Sequence, residues 1–374
     1  MDKQQLTINL IKSQIAHCKE FDKTDINYDG LYRFSAFHNV SNIVGKALFE
    51  QGIADNCENS VEFYTEQLKA VMDYQKQQFE LERIKENFEK EKIPYVALKG
   101  AVIKNFYPEP EMRTSCDIDI LVKKEDFERA ENVLKQNLGA EYMCRSYHDV
   151  SYMTDAGVHI ELHHTLCEDS YPGSNVLKNA WSYTFGDEYE KHFTNEFFVY
   201  YHIAHMAKHL VDGGFGIRLV SDLYLINKNM DYDKSKLDDM LYEGRLAEFK
   251  SQAEKLSLVW FDDDVHNEAT KLLEQYIFES GIFGTLEHGV AVRETTGGKK
   301  SSLLKRLFIP MDTLSEQYPN LKNKPYLYMW YSIIRIANSG FLKTKEEIRL
   351  INSLDQTKKQ NIGKMLDMLD LNKK

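Results

Sequence analysis

The chain reads Pro94-Tyr-Val-Ala-Leu-Lys-Gly100 and, after a proline-containing loop, Asp117-Ile-Asp119-Ile-Leu-Val122. The first stretch is a short apolar run that ends at Lys99-Gly100, so it predicts a buried strand followed by a turn. Residues 101–106 continue with helical spacing. A strand that passes through glycine into a helix presents free backbone N–H groups, and these favour an anion. We therefore predict an anion site at Lys99 and Gly100.

The second stretch predicts a strand with one charged face. Asp117 and Asp119 are two residues apart, so both carboxylates point to one side while Ile118 and Ile120 point to the other. Aspartate is depleted in strands, and two like charges on one face repel each other unless a cation lies between them. Mg²⁺ or Mn²⁺ fits carboxylate oxygens and leaves positions open for phosphates. The pattern predicts a divalent metal site at Asp117 and Asp119.

A third segment carries another candidate ligand. In Val158-His-Ile-Glu161-Leu-His163 the side chain of Glu161 shares one strand face with two histidines. The turn Asp155-Ala-Gly157 predicts a hairpin with residues 148–154. Glu161 is therefore the candidate third carboxylate. The histidines at 159, 163 and 164 leave a zinc site open as an alternative to hydrogen-bonding partners of the carboxylates.

These residues resemble the nucleotidyltransferases of the DNA polymerase β superfamily, in particular a bacterial branch that is mostly uncharacterised. The core of the similarity covers roughly residues 91–165, and the similarity extends to residue 230. The superfamily usually has Gly-Gly or Gly-Ser at the turn, where this chain has Lys99-Gly100. Lys99-Gly100 has no hydroxyl for the terminal phosphates, and the lysine could supply positive charge instead. The motifs that carry the resemblance are Lys99-Gly100, Arg113, Asp117-x-Asp119 and Val158-x-Ile-Glu161-Leu-His.

The resemblance implies an α+β fold, with a polymerase-β-like nucleotidyltransferase core of mixed β-sheet and helices. It implies transfer of a nucleoside monophosphate from a nucleoside triphosphate (NTP) to an acceptor, with release of pyrophosphate. Asp117 and Asp119 would hold the metals that bridge the triphosphate. Glu161 would complete the second metal site or act as base on the acceptor hydroxyl. The catalytic and metal-binding candidates are therefore Asp117, Asp119 and Glu161.

Arg113 lies shortly before Asp117, at the predicted entry of the strand that carries the metal ligands. A guanidinium there could grip a triphosphate through two hydrogen bonds. The alternative is a surface arginine paired with Glu109 or Glu111. We expect Lys99, Gly100 and Arg113 to contact the phosphates.

Residues 201–224 contain a second group of polar side chains. His202, His205 and His209 have the spacing of one helix face. They could bind zinc, or they could form a polar face directed toward the active cleft. Lys208 lies beside them. Arg218 and Asp222 follow a Gly213-Gly214 break, and their spacing fits either a surface salt bridge or the second half of the nucleotide pocket. The family resemblance extends to abortive-infection-type nucleotidyltransferase toxins, and it favours Lys208, Arg218 and Asp222 as nucleotide-binding residues.

The remaining chain is predicted to be mainly helical. Helical patterns fill residues 4–92, with one long helix over 60–92, and a further helix is predicted from Lys124 to Leu138. After Cys167 we expect a predominantly helical chain to the end, with a glycine-rich loop or lid over 284–302. We divide the chain into a helical region at 1–92, a nucleotidyltransferase core at 93–166 and a helical domain at 167–374.

Composition restricts the partners. With 47 basic and 58 acidic residues the net charge is −11, so the surface as a whole repels a polyanion. Nucleic acid is therefore disfavoured as acceptor, and a small molecule or a protein is favoured. The five cysteines lack Cys-x-x-Cys spacing, no apolar run is long enough to span a membrane, and residues 1–5 are too polar for a signal peptide. We expect a cytoplasmic protein with reduced thiols.

Two alternative functions stay open. One is a catalytically inactive protein that kept the fold and binds a nucleotide or a partner. The loss of a carboxylate would favour it, and all three acids are present. The other is a toxin that adds nucleotides to transfer RNA, as relatives in the superfamily do. A strong basic patch would favour it, and the acidic balance of the chain supplies none.

Overall fold

The computed structural model describes residues 2–16, 26–54, 57–146, 148–297, 320–338 and 355–372, together with 311, 314, 315 and 318. The N-terminal part is helical, as predicted. The side chain of Asn27 caps the second helix, because its carboxamide oxygen accepts a hydrogen bond from the Gly30 backbone N–H. The helices are α1 Lys3–Ile15, α2 Tyr28–Phe37, α3 Ser41–Glu50 and α4 Ser60–Lys90.

A seven-stranded mixed sheet follows, with the spatial order β3-β4-β5-β2-β1-β7-β6. Strand β2 pairs antiparallel with β1 and parallel with β5, and β7 pairs parallel with β1. The other neighbours pair antiparallel. The strands are β1 Tyr95–Ala97, β2 Asp117–Val122, β3 Glu141–Arg145, β4 Asp149–Met153, β5 His159–His163, β6 Thr184–Gly186 and β7 Glu190–Phe193.

Alternate side chains of β2 point to opposite faces of the sheet. Ile118, Ile120 and Val122 belong to one hydrophobic cluster, which also contains side chains from α4 and from α6 Phe127–Gln136. Those two helices therefore cover one face of the sheet. The residues of β2 that alternate with them, Asp117 and Asp119, lie on the opposite face. Burial of the isoleucines thus fixes where the two carboxylates point.

The connections around the sheet agree in part with the sequence prediction. Strands β4 and β5 form the expected antiparallel hairpin, and α6 lies within the predicted helical segment. After β1 the chain forms a short helix, α5 Gly100–Ile103, and a 3-10 turn at Lys104–Phe106. After Cys167, where a predominantly helical region was predicted, β6 and β7 add two strands to the sheet. Strands this short and polar lack the apolar run from which a buried strand is recognised.

The C-terminal part contains mostly helices. The prediction of a loop or lid over 284–302 is wrong for residues 286–297, which form a helix. Position 289 of this helix needs a glycine, because a Cβ atom there would lie 2.7 Å from the Asp212 carbonyl oxygen. The helices are α7 Ser174–Leu177, α8 Asn195–Asp212, α9 Ile217–Asn229, α10 Lys234–Glu243, α11 Ala247–Phe261, α12 Glu268–Ser280, α13 Leu286–Gly297, α14 Asn320–Asn323, α15 Tyr328–Asn338 and α16 Gln356–Met368.

A second, larger hydrophobic cluster joins the N-terminal helices, the other face of the sheet and the C-terminal helices. It includes Leu10 of α1, Val96 of β1, Leu121 of β2 and Val199 of α8. The α+β fold class is therefore confirmed. The division at residues 92 and 166 stays a prediction. Four cysteines, at 57, 116, 144 and 167, are free thiols, and Cys18 lies outside the described residues.

Within the described part of the chain, no helix combines the length and the apolar composition that a membrane crossing requires.

Candidate active site

The three candidate carboxylates lie on two neighbouring parallel strands. In the pairing of β2 with β5, Asp117 is opposite His159 and Asp119 is opposite Glu161. Residues opposite each other in a sheet share a face, so Glu161 points to the same side as both aspartates. Sequence positions about forty residues apart are thus brought together by strand pairing. The structure assembles Asp117, Asp119 and Glu161 on one face.

Asp119 is the most enclosed of these acids. Its Oδ1 atom lies 2.8 Å from His163 Nε2, and its Oδ2 atom lies 3.6 Å from Lys99 Nζ. Burial favours the neutral carboxyl, but the positive charge of Lys99 and the hydrogen bond with His163 outweigh it and lower the pKa of Asp119. Burial likewise acts against a charged His163, yet its hydrogen bond with Asp119 and the Glu161 carboxylate 3.6 Å away raise the pKa of His163 to about 9. Asp119 is therefore held as an anion.

Glu161 connects two sets of potential metal donors. One set is Asp119, Glu161 and His163, and the other is Asp117, His159 and Glu161; within each set the donor atoms lie within 4.8 Å of one another. Burial and the negative charge of Asp119 raise the pKa of Asp117. A divalent cation would offset that repulsion, and carboxylate oxygens are ligands that Mg²⁺ and Mn²⁺ accept. The donors present therefore fit such an ion, with Glu161 common to both sets.

The turn after β1 has an unusual backbone. Lys99 has a φ angle of +31°, a region that residues with a side chain rarely adopt. Such a conformation costs about 1–3 kcal/mol and persists where surrounding contacts fix it. Here the contact of Lys99 Nζ with Asp119 supplies one. Gly100 opens α5, and a side chain at this position would lie 3.1 Å from Arg113 Nη1. The turn thus brings Lys99 and Arg113 to the acidic face.

Arg113 is buried and bound to the helical part of the protein. Its Nε and Nη2 atoms donate hydrogen bonds to the two carboxylate oxygens of Asp222, at 2.9 and 2.8 Å. Tyr107 donates a third hydrogen bond to Asp222, at 2.8 Å. The alternative of a surface arginine paired with Glu109 or Glu111 is therefore wrong. Within the described residues, the buried Nη1 atom of Arg113 has no hydrogen-bond partner.

Helix α8 presents its histidines to the same space. The Nε2 atoms of His205 and His209 lie 2.9 Å apart, and His202 Nε2 lies 3.1 Å from the Leu219 carbonyl oxygen. Burial lowers the pKa of all three, that of His209 to about 3. The imidazoles of His205 and His209 are therefore neutral near pH 7, so one can donate to the other. They belong to none of the donor sets formed by described residues.

Lys208 and Arg218 lie in this region, and Asp222 lies behind it. Lys208 Nζ lies 4.0 Å from Asp212 Oδ2 and 5.1 Å from the centre of the Tyr171 ring. Arg218 Nη1 donates to the Thr114 carbonyl oxygen, and its buried Nε atom lacks a partner among the described residues. The alternative of a surface salt bridge between Arg218 and Asp222 is wrong, because Asp222 is fully buried beside Arg113.

One cavity of ≈ 370 Å³ contains most of these groups. Its volume falls within the range of small-molecule sites, about 300–1,000 Å³. Asp222 is the predicted site residue that does not line it, since Asp222 contacts the cavity only through Arg113. The predicted residues that do line it are Lys99, Gly100, Arg113, Asp117, Asp119, Glu161, Lys208 and Arg218.

Sequence reasoning missed several residues of this cavity. His148 and Asp149 form a third potential donor set with His163, and Ile282 and Phe283 line the mouth formed by the α12–α13 connection. The first pair lies at the start of β4, where the predicted hairpin places it opposite the end of β5. Phe283 lies between Gly281 and Gly284, just before the segment predicted as a loop or lid, and no motif in the sequence marks it.

The chain is similar to known proteins in two respects. Residues 24–262 match the family described as "uncharacterised nucleotidyltransferase". Among solved structures, the antibiotic-resistance factor ANT(2'')-Ia is similar with a TM-score of 0.34 and 10% sequence identity, over 50% of this chain and 96% of that one. No curated protein matches the chain.

The family match spans helices α2 to α11 and the whole sheet, so it includes every residue of the predicted site. It extends on both sides beyond residues 91–230, over which the sequence resembled the superfamily. The chain therefore belongs to this family of nucleotidyltransferases, enzymes that transfer a nucleoside monophosphate.

Proposed function

We propose that the protein is a metal-dependent nucleotidyltransferase that moves a nucleoside monophosphate from an NTP to a small-molecule or protein acceptor and releases pyrophosphate. The observation that carries the proposal is the pairing of β2 with β5, in which Asp119 is opposite Glu161 and Asp117 shares their face. Three acids gathered on one face at the wall of a cavity repel each other, and a divalent cation removes that repulsion.

The residues proposed to hold the cation are Asp117, Asp119 and Glu161. When bound, Mg²⁺ or Mn²⁺ would neutralise charge on the phosphates and favour departure of pyrophosphate. Lys99 and His163 have a separate role, because their contacts keep Asp119 ionised and hold its carboxylate in one orientation. His163 is thus proposed as a positioning residue of Asp119.

The positive groups of the cavity suit the triphosphate. Lys99, Arg113, Lys208 and Arg218 all line it, and they face the acidic strands from the turn, the loop before β2 and helices α8 and α9. The unpartnered Nη1 atom of Arg113 and Nε atom of Arg218 are donors that a phosphate oxygen can satisfy. In the reaction, an acceptor oxygen or nitrogen forms a bond to the α-phosphorus while the bond to the pyrophosphate oxygen breaks.

The acceptor is inferred from charge. The chain carries a net charge of −11, which disfavours a long polyanion at its surface. A small molecule or a protein with a free hydroxyl or amine is therefore favoured over transfer RNA. Glu161 has two alternative roles, as a ligand that completes the metal site or as the base for that nucleophile. The second role is favoured by its position at the cavity wall, where it is partly exposed, unlike Asp119.

The test uses Asp119→Asn, a nearly isosteric change that removes the charge proposed to bind the metal. Wild-type protein and variant are incubated with each α-labelled NTP and cell extract, and the label is separated into RNA, protein and small-molecule fractions. We expect wild-type label in the protein or small-molecule fraction, and none with Asp119→Asn. The matched control is Asp155→Asn at the exposed β4–β5 turn, which should transfer like the wild type.

Metal dependence has its own measurement. Calorimetry with ATP, CTP, GTP and UTP, with and without Mg²⁺ or Mn²⁺, should show that NTP and metal bind jointly, because phosphate oxygens complete the coordination shell. Tight NTP binding that a chelator leaves unchanged would refute the metal assignment. Label that survives in folded Asp119→Asn would refute the mechanism. Label found mainly in RNA would move the acceptor to nucleic acid.

A further inference from the structure

The cavity has one feature that its phosphate and metal groups do not use. Phe283 lines it, yet the Phe283 side chain is 81% exposed. Single exposed apolar side chains are ordinary on protein surfaces. This one stands at the mouth of a cavity whose other lining is mainly charged, hydroxyl or imidazole groups. Among the described residues that line the cavity, Phe283 supplies the one carbocyclic ring.

The segment that carries Phe283 is held on both sides. The backbone N–H of Ile282 donates to the Phe37 carbonyl oxygen at 3.1 Å, and that of Thr285 donates to the Gly213 carbonyl oxygen at 3.0 Å. A Cβ atom on Gly284 would lie 2.6 Å from the carbonyl carbon of Gly213, so the two turns pack backbone against backbone. The ring of Phe283 is therefore presented from an anchored position.

The proposed substrate has two chemically different ends. Its triphosphate suits the acidic face with its cation and the basic side chains around it. Its base is flat and has apolar faces, so it needs an aromatic or aliphatic surface. The apolar side chains that the described cavity offers are Leu166, Leu219, Ile282 and Phe283. Of these, the exposed Phe283 ring is the one that a base could cover face to face.

We propose that Phe283 is the stacking platform for the nucleobase of the bound NTP, an inference that rests on the proposed function. Stacking on an aromatic ring tolerates all four bases, because each base has a π-face. The geometry therefore points to an enzyme that accepts several NTPs, with the base recognised by its flat surface. Ile282 beside it contributes apolar surface at the edge of the same platform.

The experiment compares ligands with and without a base. Binding of Mg²⁺–ATP and of Mg²⁺–tripolyphosphate is measured by calorimetry for the wild type, Phe283→Ala and Phe283→Trp. We expect Phe283→Ala to weaken ATP binding by roughly 5- to 150-fold, the range of base–aromatic stacking. Tripolyphosphate binding should stay unchanged, and Phe283→Trp should bind ATP at least as tightly as the wild type.

The matched control is Tyr242→Ala on α10, which removes an aromatic ring that is 85% exposed outside the cavity lining. It should bind both ligands like the wild type. If the wild type binds ATP and Phe283→Ala binds it equally well, the stacking platform is wrong and the proposed function stands. If Phe283→Ala loses both ligands equally, the ring supports the loop and not the base. If the wild type binds neither ligand, this inference and the proposed function both fail.

Discussion

Arg113 and Asp222, 109 residues apart in sequence, form a buried ion pair through two parallel hydrogen bonds of 2.9 and 2.8 Å. The pair joins the loop before β2 to helix α9. It thereby fixes the position of the strand that carries Asp117 and Asp119 relative to the helices that carry Lys208 and Arg218. Because Asp222 accepts a further hydrogen bond from Tyr107, its carboxylate is well satisfied. The two halves of the cavity are thus held together by a buried charge pair.

Removing one partner of this pair should be costly. Asp222→Ala leaves the guanidinium of Arg113 buried without its counter-ion, and such changes destabilise proteins by about 3–5 kcal/mol. Urea unfolding followed by circular dichroism measures the loss. The matched control is Asp29→Ala, which breaks the exposed Arg33–Asp29 pair and should cost under about 1 kcal/mol. Equal losses in the two variants would show that the buried pair is not a structural connection.

A histidine outside the cavity should make stability depend on pH. His38 follows α2 and is buried between the rings of Phe34 and Phe37. Burial lowers its pKa to about 4, whereas an unfolded chain has the ordinary value of about 6.5. Between these values the unfolded chain takes up a proton that the folded protein does not. The stability from neutral His38 is therefore complete above about pH 6.5 and is lost as the pH falls toward 4.

The size of this effect follows from the shift in pKa. A difference of about 2.5 pKa units corresponds to about 3 kcal/mol at pH 4, and about 2 kcal/mol of that should be lost between pH 7 and pH 5. The measurement is the free energy of unfolding of the wild type and His38→Phe at pH 7, 6 and 5. Other buried histidines are present in both proteins, so their effects cancel in the difference. Parallel pH profiles for the two proteins would contradict the prediction.

Local sequence patterns predicted the features that depend on a single helix, strand or turn. Alternation in Asp117-Ile-Asp119-Ile predicted both faces of β2, because a period of two is set by the backbone itself. The long helix α4 was predicted because no glycine or proline interrupts it. The turn at Asp155 to Gly157 predicted the β4–β5 hairpin. The position of Glu161 beside the aspartates comes from the parallel pairing of β2 with β5, and only the family resemblance implied that these acids act together.

Long-range contacts could not be predicted in this way. Arg113 pairs with Asp222. The spacing along α9 had suggested Arg218 as the partner of Asp222. A buried ion pair between distant segments depends on how helices and sheet pack, and no local period records it. The same holds for β7, whose pairing with β1 depends on the tertiary fold. It also holds for α13, where Gly289 lies within a helix because the backbone of residue 212 packs too close to leave room for a side chain.

The final prediction concerns the part of the cavity that helices α8 and α9 provide. Asp117, Asp119 and Glu161 suit metal and phosphates, but strands alone leave one side of the NTP uncovered. Lys208 and Arg218 line the cavity from the helices, and Arg218 is anchored by its hydrogen bond to the Thr114 carbonyl oxygen. Lys208→Ala and Arg218→Ala should each weaken NTP binding by about 1.5–3 kcal/mol, the range for hydrogen bonds to charged groups.

The matched control for both variants is Lys228→Ala. Lys228 lies on α9 like Arg218, but it is half exposed and pairs with Asp262 at 2.8 Å, outside the cavity lining. Its loss should leave NTP binding unchanged, because an exposed ion pair contributes little and touches no substrate group. Calorimetry with Mg²⁺–ATP measures all three, and thermal unfolding checks that each variant is folded. If Lys208→Ala and Arg218→Ala bind ATP like Lys228→Ala, the nucleotide is held by the sheet side of the cavity alone, and residues 201–224 have a structural role.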